Sequence, residues 1–165
     1  MNLFIALIGA GSGGILLAIG TATNAHLRQT LHSAIAAAAI NFIVGFTTLA
    51  LLIILRVFPI PSLDRLLTVP WWAFLGGFLG ATFVTLTTLV VPKLGLTTTT
   101  LTVVCSQMIF SVAIDRLGWF GMGSHPITAS KIIAIGLLIL AIAIIRLDDR
   151  GSHRVAQNLR IDLEQ

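Results

Sequence analysis

The first acidic residue of this chain is Asp64, and charge of either sign is scarce throughout. Only 10% of the 165 residues are charged, where an ordinary soluble domain carries about 25%. With 56% hydrophobic residues, a compact soluble fold of this size could not hide its apolar surface, because much of any small domain stays exposed. Cysteine is also nearly missing. Cys105 is the single one, which excludes an internal disulfide and any Cys/His metal cluster, and its place in an apolar run reads as a small buried side chain. The net charge of +4 does not point to nucleic acid, because the basic residues are scattered singly between apolar segments. No Lys or Arg precedes the first apolar stretch, so that stretch reads as a retained span and not a cleaved signal.

What the chain has in abundance is long apolar runs. Five of them approach or exceed the roughly 20 residues needed to cross a bilayer core, at about 3–22, 34–56, 71–91, 96–114 and 127–146. They are continuous and rich in Leu, Ile and Ala. A membrane β-barrel would need segments of about 10 residues alternating polar and apolar, so the runs read as helices. The fold class expected is an all-α integral membrane protein, with a five-helix domain over 1–147 and a polar tail over 148–165. Arg28, Gln29 and His32 fall in the first gap, and Arg56, Pro59, Pro61, Asp64 and Arg65 in the second. Pro92–Gly95 makes the third gap, and Asp115 to Pro126 the fourth. Trp71, Trp72 and Trp119 flank the spans, where indole rings favour the interface.

Five spans place the termini on opposite sides. The N-terminal side holds Arg56, Arg65, Arg116 and Lys131, and the other holds Arg28, Lys93, Arg146, Arg150, Arg154 and Arg160. The excess of cations favours a cytoplasmic C-terminus, but it comes entirely from the tail. Insertion in both senses is therefore open.

Gly9, Gly11 and Gly14 match the spacing of a dinucleotide-binding loop, G-x-G-x-x-G. The apolar span runs straight on through them, and no acid follows about 20 residues later to hold a ribose. Small helix faces that admit close neighbours explain these glycines better. Gly9, Gly13, Gly20 and Asn24 fall within about 60° of one another at about 100° per residue. Gly76, Gly77 and Gly80 repeat the device in the third span, and Gly45 stands four residues after Asn41 in the second. These seven glycines are the expected helix-packing positions.

Polar groups inside a span are costly unless paired or hydrated, so they are the candidate site residues. They are Asn24, Asn41, Gln107, Ser111 and Asp115, the last three forming an i, i+4, i+8 stripe. Neutral amides offer donors and acceptors without the cost of a buried charge, which suits a polar solute; interhelical bonding is the alternative use. Asp115 would either couple protons or pair with its neighbour Arg116. Thr97 to Thr100 would line a pore or start a helix by bonding to local carbonyls. No nucleophile–base pair, paired carboxylates, phosphate loop or metal-ligand spacing is visible, so neither an enzyme nor a cofactor is expected.

Several segments in order resemble one family. They are Asn24–Leu27, Asn41–Gly45, Pro70–Gly80, Val91–Gly95, Ser106–Gln107 and Asp115–Gly121, spread over roughly residues 8 to 146. Together they resemble the YdcZ branch of the drug/metabolite transporter superfamily. The chain departs from that pattern at Gly20, where glutamine is common, at Ala34, where proline is common, and at Asn41, where serine is common. It also lacks the first-span Glu of the four-helix multidrug relatives, so their proton antiport is not implied. The resemblance implies a bacterial inner-membrane exporter equivalent to half of a ten-helix, inverted-repeat transporter. The partners expected are the bilayer, a second copy or a homologous subunit, and a small polar or amphipathic solute moved by alternating access, with no nucleic acid. A non-transporting helical subunit of a larger complex is the competing reading.

Overall fold

The computed structural model describes residues 2–163 apart from Pro59, Pro61 and Met122, and the side chains of Leu63 and of 149–163 are not described. It is all-helical among the described residues. Helix α1 spans Leu3–Leu31, α2 Ala34–Ile54, α3 Leu63–Leu67, α4 Leu75–Leu94, α5 Leu96–Leu117 and α6 Ala129–Leu163. Short 3-10 helices occupy Trp71–Phe74 and Trp119–Gly121. Among the described residues, five helices are long and apolar enough to cross a membrane: Leu3–Leu31, Ala34–Ile54, Trp71–Leu94, Leu96–Leu117 and Ala129–Asp148.

The elements begin and end where local chemistry dictates. The Ser33 hydroxyl accepts the Ala36 N–H at 3.2 Å and so caps α2. His32 ends α1 in the left-handed region at φ 52°, and Gly95 ends α4 at φ 78°. Helix α1 runs past residue 22, the end expected of the first span, because nothing in Ala22–Leu31 breaks a helix. Arg28 and Gln29 are therefore helical, and Arg28 lies in the last turn, where a cation suits the helix dipole. Helix α6 likewise continues through the polar tail to Leu163.

Inside lipid a hydroxyl must bond within its own protein. The threonines do so by donating to the carbonyl four residues back: Thr47 to Ile43, Thr48 to Val44, Thr82 to Phe78 and Thr102 to Thr98, at 2.8–3.0 Å. Of the Thr97–Thr100 run, Thr98 and Thr99 are buried.

The chain forms two compact units, divided after Leu96. In the first, α1, α2 and α4 all touch one another. Burial concentrates at one level of this trio, at Asn24 and Ala25 on α1, Ala34, Ala37 and Ala38 on α2, and Thr87 and Thr88 on α4. Alanine has almost no side chain, so the helix axes can approach closely there. Away from that level the surface is apolar and open; Leu3, Phe46 and Ile54 are 72–76% exposed, as lipid contact requires. The second unit holds α5 and α6, with Cys105 buried and unpaired on α5.

The glycines divide unequally. A methyl group added at Gly80 would lie 3.4 Å from the Phe42 ring, so α2 and α4 pack closely there. At Gly9, Gly13, Gly20, Gly45, Gly76 and Gly77 it would meet nothing within 4 Å of the same chain. Ala37→Leu should therefore lower stability by about 1–3 kcal/mol through overpacking, while Gly13→Ala should not lower it. Unfolding in mixed detergent micelles measures both.

Candidate functional site

Where α1 leaves the crowded level of the trio, a cavity of about 110 Å³ opens between the three helices. Leu16, Leu17, Gly20, Thr21 and Asn24 of α1 line it, with Asn41 of α2 and Phe83, Val84 and Thr87 of α4. Gly20 contributes to the space by having no side chain. The lining is mostly apolar, with two amides and two hydroxyls. Both hydroxyls are committed: Thr21 donates to the Leu17 carbonyl at 2.8 Å, and Thr87 is shared between the Phe83 and Val84 carbonyls at 3.0 and 3.1 Å.

Asn24 is 4% exposed. Its Nδ2 donates to the Thr88 Oγ1, and its Oδ1 is buried without a hydrogen-bond partner. Thr88, at 1% exposure, is the most buried residue of α4 and is held to α1 twice. Its carbonyl would ordinarily take the N–H four residues on, but that residue is Pro92, which has none. Arg28, one turn past Asn24 on the same face, directs Nη1 to that carbonyl at 3.5 Å. The proline thus frees an acceptor, and an arginine at the end of another span reaches it.

Of the five candidate polar residues, the structure brings Asn24 and Asn41 to the cavity. Asn41 is exposed at its edge, without a hydrogen bond among the described residues. Gln107, Ser111 and Asp115 lie on α5 in the other unit and are not among the lining residues. Gln107 and Ser111 are exposed. Asp115 does not pair with Arg116, since adjacent helical residues point apart. Its Oδ2 instead meets the Lys131 Nζ of α6 at 2.9 Å, in a half-exposed ion pair. The following loop folds back on this helix end: the His125 N–H donates to the Asp115 carbonyl at 2.8 Å, and Ser124 Oγ to the Arg116 carbonyl at 3.0 Å.

Sequence reasoning passed over Thr88, Arg28 and Phe83. The signal available was the four-residue spacing of Asn24 and Arg28, together with the threonines clustered at 82–88. It did not say which threonine would face α1.

Five apolar spans carrying isolated amides define a multi-pass helical membrane protein. Residues 5–144 match the family model described as "Putative inner membrane exporter, YdcZ", and the chain belongs to that family. It is a family of membrane exporters, not of enzymes. No curated protein and no solved structure matches the chain.

Removing the Thr88 hydroxyl leaves both ends of the Asn24 amide unpaired. Thr88→Val should lower stability by about 1 kcal/mol, and Thr88→Ser should recover most of it. Denaturation in mixed micelles reads the difference.

Proposed function

We propose that the chain is one protomer of a solute exporter that works as a dimer by alternating access. The supporting observation is the cavity of the three-helix unit, an apolar pocket carrying the Asn24 and Asn41 amides. A pocket of this kind holds the polar part of a small solute while its walls take the apolar part.

What the protomer leaves uncovered supports a second copy or a homologous subunit. Asn41 and Gln107 are exposed amides within membrane-crossing helices, and exposed amides facing lipid are costly. Transporters of related architecture enclose their site between two pseudo-symmetric repeats, and five helices amount to one such repeat. An inverted copy of the same chain is the simplest second repeat, and the nearly balanced loop charges permit both orientations. Rocking of the two repeats would then open the site to either side in turn.

Reconstituted in liposomes, the protein should give solute-dependent efflux, screened over small polar and amphipathic compounds. An Asn41→Ala variant that still inserts and dimerises should lose most of that flux. Undiminished flux removes that amide from the site. Reporters fused after Gln165 should give signal on both sides of the membrane if the second repeat is an inverted copy; signal on one side alone assigns that role to a different subunit.

A further inference from the structure

We infer that the cavity between α1, α2 and α4 is a subsite for an uncharged hydrogen-bond donor, a hydroxyl or amide N–H on the solute, accepted by Asn24 Oδ1. This deepens the transport reading and rests on it for its biological use. The geometry that carries it is the buried, unpartnered Oδ1 of a residue that lines the cavity. A buried acceptor without a donor is costly, so the site gains when one arrives.

The remaining wall has the same bias. Hydroxyl hydrogens of Thr21 and Thr87 are directed at backbone carbonyls, which leaves only their lone pairs for a guest. One N–H of the Asn24 amide is engaged by Thr88. Of the lining side chains, only the second N–H of Asn24 and the Asn41 amide at the edge then keep donor hydrogens.

Charge narrows the class further. Helices α1, α2 and α4 contain no Asp or Glu, so a cation in the cavity meets no counter-charge from its walls. A bare anion has no hydrogen to give Oδ1 and would meet its lone pairs. A neutral donor avoids both penalties, and Leu16 and Leu17 offer an apolar wall to the carbon skeleton behind it. At about 110 Å³ the cavity exceeds the roughly 30 Å³ that one liquid water occupies, which leaves room for a small organic group.

Three probes of one carbon skeleton separate the alternatives: 2-butanol, which donates; 2-butanone, which only accepts; and sec-butylammonium, which donates but is charged. Saturation-transfer NMR on the full chain in nanodiscs reads their contact with the protein. Two variants provide the reference. Asn24→Leu removes the acceptor. Gly20→Gln fills the cavity and places its own amide one turn from Asn24, within reach of the free Oδ1, while leaving the Thr88 contact in place. It therefore stays informative if Asn24→Leu fails to fold.

The expected result is a 2-butanol signal about threefold or more above those of the other two probes, lost in Gly20→Gln. Preference for 2-butanone would mean that the Asn24 amide presents its N–H, and would overturn the assignment. Equal binding of the ammonium would overturn it too. So would no signal above the Gly20→Gln background, which would make the cavity a water site only. Flux in liposomes is measured separately. Transport without 2-butanol binding sinks the subsite alone, whereas binding without transport sinks the exporter reading and leaves the subsite in place.

Discussion

Lipid supplies no hydrogen bonds, so every polar group at membrane depth must be satisfied by the protein, by water or by a ligand. Most of this chain obeys that constraint locally. Threonine and serine hydroxyls return to carbonyls of their own helix, as Ser12 does to Ile8 and Ser106 to Thr102. Thr88 is different, because its hydroxyl and carbonyl both engage α1. That double attachment fixes the level at which α1 meets α4, and the small residues Ala34, Ala37 and Ala38 let α2 close against the same level. The cavity lies just beyond, where larger residues such as Leu17 and Phe83 and the missing side chain of Gly20 hold the helices apart.

The fold was legible because it depends on one-dimensional properties. Length and apolar content alone specify five spans, and helix is the structure that satisfies a lone spanning segment. The ends were less legible. Gln29 and Arg28 looked like loop residues by polarity, but polarity does not end a helix; the left-handed backbone at His32 does. The stretch over 148–165 was expected only as a polar tail, and it continues α6 to Leu163.

The site was half legible. Unusual residues in an apolar run identify themselves, which is how Asn24 and Asn41 were found. Their partners do not, because Thr88 is one of several threonines on α4 and only the packing of α1 against that helix selects it. Asp115 shows the same limit: the neighbour in sequence, Arg116, was the visible partner, and the neighbour in space is Lys131, sixteen residues on. The glycines show it in another way. Spacing predicts a stripe, but a stripe does not say what fills it, and of the seven expected packing glycines only Gly80 would bring an added methyl group within 4 Å of a described side chain, that of Phe42.

Pro92 links two positions far apart in the chain. A proline near a helix end is normally counted as one hydrogen bond lost. Here the orphaned carbonyl of Thr88 becomes the acceptor for Arg28. The acceptor that Arg28 reaches thus originates at position 92. In the descent of this family the two sites should drift together: a lineage that regains an N–H at position 92 loses the reason to keep arginine at position 28, and with it one positive charge that bears on which way up the protein inserts.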